Sequence, residues 1–520
     1  MDKNFMGAMK KTLNNEFNHS VTENGAVGFR TSGKALLDLN FAVASLRSAS
    51  EDTIAEKFYN AFFEDKGDAM RWLFFSRDVR GGLGERRLFR VVLADLAKES
   101  PEYVKPIVSL VPEYGRWDDL WCLLDTPLRD DVVALVSSQL ENDQRDTQSH
   151  KSISLLAKWM PRCKTSSDRT RHYATILRNG LKMTEREYQH TLSALTKYLG
   201  VVEQKMSARV WDGINYEAVP SRANLIYNDA FLRHDEDRRR EFLGRVKSGE
   251  AKINAGTLFP HDIVSKYRGI RHGIDDTLEA LWENLPNTVN GCENTIVVAD
   301  SSGSMMSGIG KSGVTALDVA NALAIYFAER SSGQFKNQYI TFSEWPQLVD
   351  LSKGKNLREK INIALRHSEV ANTNVEAVFD LILRTAVSQN MKQSDLPANI
   401  LIISDMEFDG CVTTGEGRGW SVQRPTPRLF EVIAQKYADA GYKLPRLVFW
   451  NVNSRTGTVP VRENDLGVAL VSGFSPNIAT MVMSGELDPY KCLLQAIHTD
   501  RYDPVEEALV DLIGVTVPLF

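Results

Sequence analysis

Apolar residues recur at three- and four-residue steps through most of the first 290 positions, the spacing that lays one greasy stripe along a helix. SGKALLDLNFAVASLR, EDTIAEKFYNAFFED, DAMRWLFFSRD, ERRLFRVVLADLAKE and TEREYQHTLSALTKYLGVVEQKMSARVW each carry it. The last of these opens on Thr184 with Glu187 three positions later, a capping box that satisfies the first free amides of a helix. No alternating strand pattern competes in this region. No fixed repeat period stands out either, although degenerate helical repeats fit the pattern.

From Asn294 the pattern changes to short β-branched or aliphatic runs: NTIVVAD, QYITFS, NILIISD, RLVFWNVN and GVALVSG. Helical segments lie between them, among them ALDVANALAIYFAER, NLREKINIALRHSE, NVEAVFDLILRTAVSQ, RLFEVIAQKYADAG and SPNIATMVMSG. Alternation of this kind predicts a mostly parallel sheet covered on both faces, with its ligands at the carboxyl ends of the strands. The expected architecture is therefore α + α/β. An all-helical module occupies 1–290 and a doubly wound parallel-sheet domain 291–480, with the pattern changing over 280–293. Residues 481–520 read as a final helix and a tail returning to the helical part.

With 520 residues the chain is too long for one core. Its 43% hydrophobic and 25% charged residues are ordinary globular usage. No window is apolar enough for a bilayer span, and the amino terminus lacks the apolar core of a signal peptide. Cys122, Cys163, Cys292, Cys411 and Cys492 are scattered, without a CxxC pair. That pattern fits reduced thiols in a cytoplasmic protein, each serving as a small buried hydrophobe, better than disulfides or a zinc site.

The sharpest local signal is VVADSSGSM, in which Asp300 ends an apolar strand and is followed by Ser302 and Ser304. A carboxylate and two hydroxyls on one tight loop, curled at Gly303, offer a hard divalent cation three oxygen ligands. Thr373, just before a helix, and Asp405, just after the strand NILIIS, are placed by a parallel sheet near the same end. The plainer alternative is a Ser/Gly turn in which Asp300 caps a helix. After Asp405 comes a Gly-, Thr- and Arg-rich stretch in which Arg418 and Trp420 are candidates for partner contact; a solvated insertion reads equally well.

The net charge of −5 argues against a protein coated in positive charge, but the average hides a contrast. Residues 151–270 hold 22 Lys and Arg against 13 Asp and Glu, a surplus of nine, and the rest of the chain is at −14. Lys158, Arg162, Lys164, Arg169, Arg171, Arg178 and Lys182 supply much of the excess, interleaved with Trp159, His172 and Tyr173. Cations that neutralise phosphates beside rings that stack on bases are how single-stranded RNA is gripped. A solvated helix face with ordinary salt bridges is the bland alternative. A second basic stretch, RDVRGGLGERRLFR, carries Gly81, Gly82 and Gly84 but follows no strand, so it reads as a tight interhelical turn rather than a phosphate loop.

The stretches KWMPRCKTSS, EREYQHTLSALTKYLGVVEQKMSARVWDGINYEAVPSRANLIYNDAFLRHD and FLGRVKSGEAKINA, taken with DSSGSM, NTNVEAVFDLIL and ILIISDMEFD, resemble an uncharacterised bacterial and viral family related to the TROVE-module proteins typified by the Ro autoantigen. The second set is similar to a von Willebrand factor A domain with its metal-ion-dependent adhesion site. This resemblance implies Mg²⁺ (or Mn²⁺ or Ca²⁺) held by Asp300, Ser302, Ser304 and Thr373, with Asp405 acting through water and one position open to a partner's carboxylate. It also implies a ring of HEAT-like repeats that binds noncoding or misfolded RNA, gripping single-stranded ends on a basic face. The expected function is a noncatalytic, cytoplasmic, RNA-binding scaffold that uses no membrane. The alternative is a metal-dependent protein-interaction adaptor without RNA, a phage structural or defence role included. A hydrolase is disfavoured, because the DxSxS site has no poised His or Glu nearby. His234 and His261, the only histidines in suggestive company, read as cap or core residues.

Overall fold

The computed structural model of the chain describes residues 18–21, 27–269, 273–289, 294–309, 313–342, 345–368, 375–406, 429–454, 468–478 and 488–513. They form two compact units, one of Met1–Ser50 with Leu258–Ala496, the other of Glu51–Thr257 with Ile497–Phe520. The secondary structure is α + α/β: helices through the amino-terminal half, then a six-stranded sheet with flanking helices.

The first unit opens with a hairpin of β1 (His19–Val21) and β2 (Val27–Phe29), antiparallel strands in a region the apolar spacing assigned wholly to helix. Its sheet comprises β3 (Thr295–Asp300), β4 (Gln338–Phe342), β5 (Gln347–Asp350), β6 (Asn399–Ser404), β7 (Arg446–Asn451) and β8 (Val468–Ser472). The spatial order is β5-β4-β3-β6-β7-β8, parallel throughout except for the β4–β5 edge. Every residue of β3 and β8 is buried, which is why these runs lack polar alternation. β5 escaped the sequence pattern because it is a four-residue edge strand with one buried residue.

The helix Ala316–Arg330 lies against β3 and β4 and is buried almost all round. Its alanines admit a second layer, the helix Pro260–Arg268, on its outer side. Glu279 ties that layer down: its carboxylate accepts the Leu357 and Arg358 amides at 2.7 and 3.1 Å, capping the helix Leu357–Arg366. Trp282 donates to Glu329 at 2.6 Å. These contacts draw residues 258–289 into the sheet unit, whereas the hydrophobic pattern changes only at 280–293. The helix Ala35–Leu46 likewise packs on β7 and β8. Asn451 donates to the Phe41 carbonyl at 2.8 Å, Ser472 Oγ accepts the Ala44 amide at 3.1 Å, and Arg47 lies 3.6 Å over the Phe474 ring.

The second unit is a stack of helices, with Phe58, Trp72, Phe74 and Phe89 fully buried in its core. Arg239 is wholly buried, its guanidinium between the Tyr216, Phe231 and Phe242 rings at 5.1–5.5 Å and hydrogen-bonded to Asn224 at 3.1 Å. The closing helix Asp503–Ile513 packs on the helix Lys66–Arg77 through buried Arg71, which meets Asp503 at 2.8 Å and also Glu506. Gly200, left-handed at φ 59°, breaks the long helical run after Leu199, so one predicted helix is two, Glu185–Leu199 and Val202–Ser207. The Thr184–Glu187 capping box forms as the spacing implies. Among the described residues no helix is long and apolar enough to cross a membrane.

Asn451 also accepts the Asn453 and Ser454 amides, at 3.0 and 2.8 Å, so one buried side chain serves three backbone groups. Asn451→Ala removes all three bonds and takes this acceptor from the Asn453 and Ser454 amides. It is expected to cost about 1–3 kcal/mol in urea unfolding, with Ser472→Ala at the low end of that range.

Candidate metal centre

Chain connections leave β3 and β6 in opposite directions, β3 feeding β4 on one side and β6 feeding β7 on the other. The crevice outside the carboxyl ends of such a neighbouring pair is where doubly wound sheets place ligands. Asp300 is the last residue of β3, and Asp405 follows the last residue of β6, the two strands running in register through Ala299 and Ile403. Both aspartates are buried, as is Ser302.

One oxygen of Asp300 accepts the Ser302 amide at 2.8 Å, the Asx turn that curls the chain into the short 3₁₀ turn Gly303–Met306. To that extent the capping alternative describes one oxygen. The other accepts Ser404 Oγ at 2.5 Å, and the Ser302 and Ser304 hydroxyls are 2.9 Å apart. Ser404 also accepts the Met406 amide at 2.9 Å, and Met406 sits in the left-handed region at φ 62°, uncommon for a side chain of its kind. Ser404 is the site residue that sequence reasoning passed over; its only signal was its place between a buried strand and Asp405.

Burial raises the Asp300 carboxyl above the ordinary range, and the neighbouring Asp405 charge raises it further, against the hydrogen bonds from Ser404 and Ser302. The donor set is hard oxygen, two carboxylates and two hydroxyls, which suits a divalent cation such as Mg²⁺. Among the described residues no three His, Cys, Asp or Glu side chains converge to hold a metal. Thr373, Arg418 and Trp420 lie outside the described residues.

The basic residues of 158–182 belong to the helical unit, and most are already engaged. Lys158 meets Glu203 at 3.3 Å, and Arg162 donates to Thr196 at 2.9 Å and to the Ala157 carbonyl at 3.2 Å. On the helix Asp168–Gly180, Arg169 bonds the Tyr173 hydroxyl at 2.9 Å, Arg171 pairs with Asp168, His172 stands 2.7 Å from Asp125, and Arg178 donates to Asn179 at 3.1 Å. Lys164 and Lys182 are exposed. Lys158 and Arg162 line an open cleft of about 840 Å³ together with Lys197, Thr196, Glu203 and Gln204.

The glycine-rich stretch is a turn whose amides are already occupied. Asp78 Oδ1 accepts the Arg80 amide at 2.9 Å and Oδ2 the Gly81 amide at 3.1 Å; its carbonyl takes Gly82 and Gly84, and its carboxylate also meets Arg501 and Tyr502. A Cβ on Gly82 would fall 1.9 Å from the Phe75 carbonyl oxygen, so only glycine closes this turn. His234 stacks on Trp211 at 4.5 Å, and buried His261 packs edge-on against Phe474 at 5.1 Å. Cys122, Cys163 and Cys492 are free thiols, and burial pushes Cys122 up to about 12.

Fold and site together define a doubly wound sheet with an acidic oxygen cluster at its switch point, joined to a helical unit. Residues 294–502 match the family described as domain of unknown function DUF7788, and residues 170–299 match that described as domain of unknown function DUF2828. The chain is also similar to uncharacterized protein L728 of Acanthamoeba polyphaga mimivirus, 29% identical over 534 residues that span 94% of this chain and 89% of the viral one. None of these descriptions names a ligand or an activity.

Because two like charges are buried side by side, Asp405→Asn removes a repulsion from the metal-free protein. In EDTA its urea midpoint is expected to equal or exceed that of the parent, by on the order of 1 kcal/mol, whereas a drop of that size would show that Asp405 is held by an attraction instead.

Proposed function

We propose that this chain is a noncatalytic, cation-dependent binding protein whose sheet unit works as a von Willebrand factor A domain. One observation carries the reading: Asp300 and Asp405 are buried together at the switch point, beside two serine hydroxyls. Asp300, Ser302 and Ser304 would hold Mg²⁺, with Asp405 beside them. The bound ion would neutralise the paired carboxylates and offer a remaining coordination position to a carboxylate on a partner protein. Ser404 positions Asp300 without being a ligand itself. His234 and His261 are engaged by Trp211 and Phe474.

Calorimetry with Mg²⁺ and Mn²⁺ tests this. The parent is expected to bind one ion, Asp300→Ala none, and Ser404→Ala with about 10- to 100-fold lower affinity, the usual cost of losing a group that orients a ligand. Equal heats for parent and Asp300→Ala would remove the proposal. Partner capture is expected to vanish in EDTA, return with Mg²⁺ and withstand ribonuclease.

A second reading, RNA binding by the helical unit as in TROVE-module proteins, is favoured by the surplus of nine basic residues in 151–270 and by the cleft lined by Lys158, Arg162 and Lys197. Filter binding of single-stranded RNA is expected to weaken steeply as salt rises, and Lys164→Ala with Lys182→Ala to flatten that slope by up to about two contacts. Absence of binding at low salt would overturn it.

A further inference from the structure

Four guanidinium groups gather around two carboxylates in the helical unit. Arg77 donates to Asp119 at 2.8 Å. Arg90 reaches both acids, Asp119 at 2.6 Å and Asp118 at 2.7 Å. Two carboxylates are thereby matched by two arginines. Arg86 lies one turn before Arg90 on the same face of the helix Arg86–Glu99. Arg116 opens the 3₁₀ turn Trp117–Leu123, its amide fixed to Asp119 at 2.9 Å, and its guanidinium rests 4.6 Å over the Trp159 ring. Neither Arg86 nor Arg116 has a carboxylate of its own among the described residues, so the cluster carries two positive charges in excess.

Desolvation lowers Arg116 to about 10 and lowers Arg86 as well; neighbouring arginines push each in the same direction, while Asp118 and Asp119 push back. The fixed part of the cluster leaves no room to relax by collapse. Gly115 packs so closely that a Cβ there would stand 2.4 Å from Asp119 and 3.1 Å from Arg77. Arg86 nevertheless stays exposed and Arg116 half exposed, so a ligand can reach both.

We propose that Arg86 and Arg116 together bind a phosphate group. A phosphate dianion matches the excess of two charges, and its tetrahedral oxygens suit two planar donor forks approaching from different elements. Trp159 holds the Arg116 fork in place as a positioning residue. Free phosphate and the terminal phosphate of an RNA share this chemistry. The site is independent of the cation centre.

Calorimetry on the full chain in EDTA decides, with inorganic phosphate and with a short RNA bearing either a 5′-phosphate or a 5′-hydroxyl. Binding of inorganic phosphate, or at least tenfold preference for the 5′-phosphorylated RNA, is the expected result, and the stronger of the two identifies the source. Arg86→Gln with Arg116→Gln is expected to lower that affinity at least tenfold, and Arg86→Lys with Arg116→Lys to restore part of it. The Gln pair should also unfold at a higher temperature than the parent without phosphate, because it removes uncompensated charge, and should lose the rise in midpoint that phosphate gives the parent. Asp300→Ala should bind phosphate as the parent does, whatever becomes of its cation. Equal phosphate affinity in parent and Gln pair, or a Gln pair less stable than the parent without phosphate, would overturn the proposal.

Discussion

A strand buried along its whole length has to be covered on both faces, and β3 is such a strand. It sits in the middle of the sheet, with β4 on one side and β6 on the other. The helix Ala316–Arg330 covers it so fully that the helix itself needs a cover, and residues 260–283 supply one. At the far edge β7 and β8 call on the helix Ala35–Leu46 from the start of the chain. The composition of the sheet unit, assembled from distant parts of the sequence, follows from this one demand for burial.

The same centrality makes the site. The end of a central strand, where neighbouring connections diverge, is where sheets of this kind place their ligands. Asp300 and Asp405 occupy the two strand ends that meet there. Burial that would be a liability for one acid becomes, for two, a standing demand for positive charge. In the helical unit Asp118 and Asp119 are answered by Arg77 and Arg90, with Arg86 and Arg116 close by.

How much of this was legible depended on range. β3, β4, β6, β7 and β8 announced themselves, because strands buried on both faces read as continuous apolar runs. Helices whose caps are local, such as the one opening at Thr184, were equally plain. β5 and the β1–β2 hairpin were not, since short edge strands carry too few apolar positions to show a period. At the site, the DxSxS spacing and Asp405 were readable as chemistry, whereas Ser404 was not, because a serine after isoleucines says nothing of what lies across the sheet. The basic run of 158–182 read either as a surface for RNA or as a helix face with ordinary salt bridges, and nothing local named the partners. Glu203 and Asp125, which engage Lys158 and His172, lie 45 and 47 positions away, beyond any local pattern. The arginine cluster was hidden for the same reason, its members spread from Arg77 to Trp159.

The helix Ala35–Leu46 also sets the timetable on which the molecule comes into being. Its apolar face, with Leu36, Leu37, Leu39 and Phe41, leaves the ribosome well before the strands that cover it. The residues that hold it, Asn451 and Ser472, are 410 and 428 positions behind their contacts. At a synthesis rate of about 5–20 residues per second, that face waits roughly 20–80 s for its partners. The intervening helical unit can form most of its core meanwhile. The sheet unit cannot close over this helix until β8 has been made, so the order of synthesis leaves the helix uncovered for that interval.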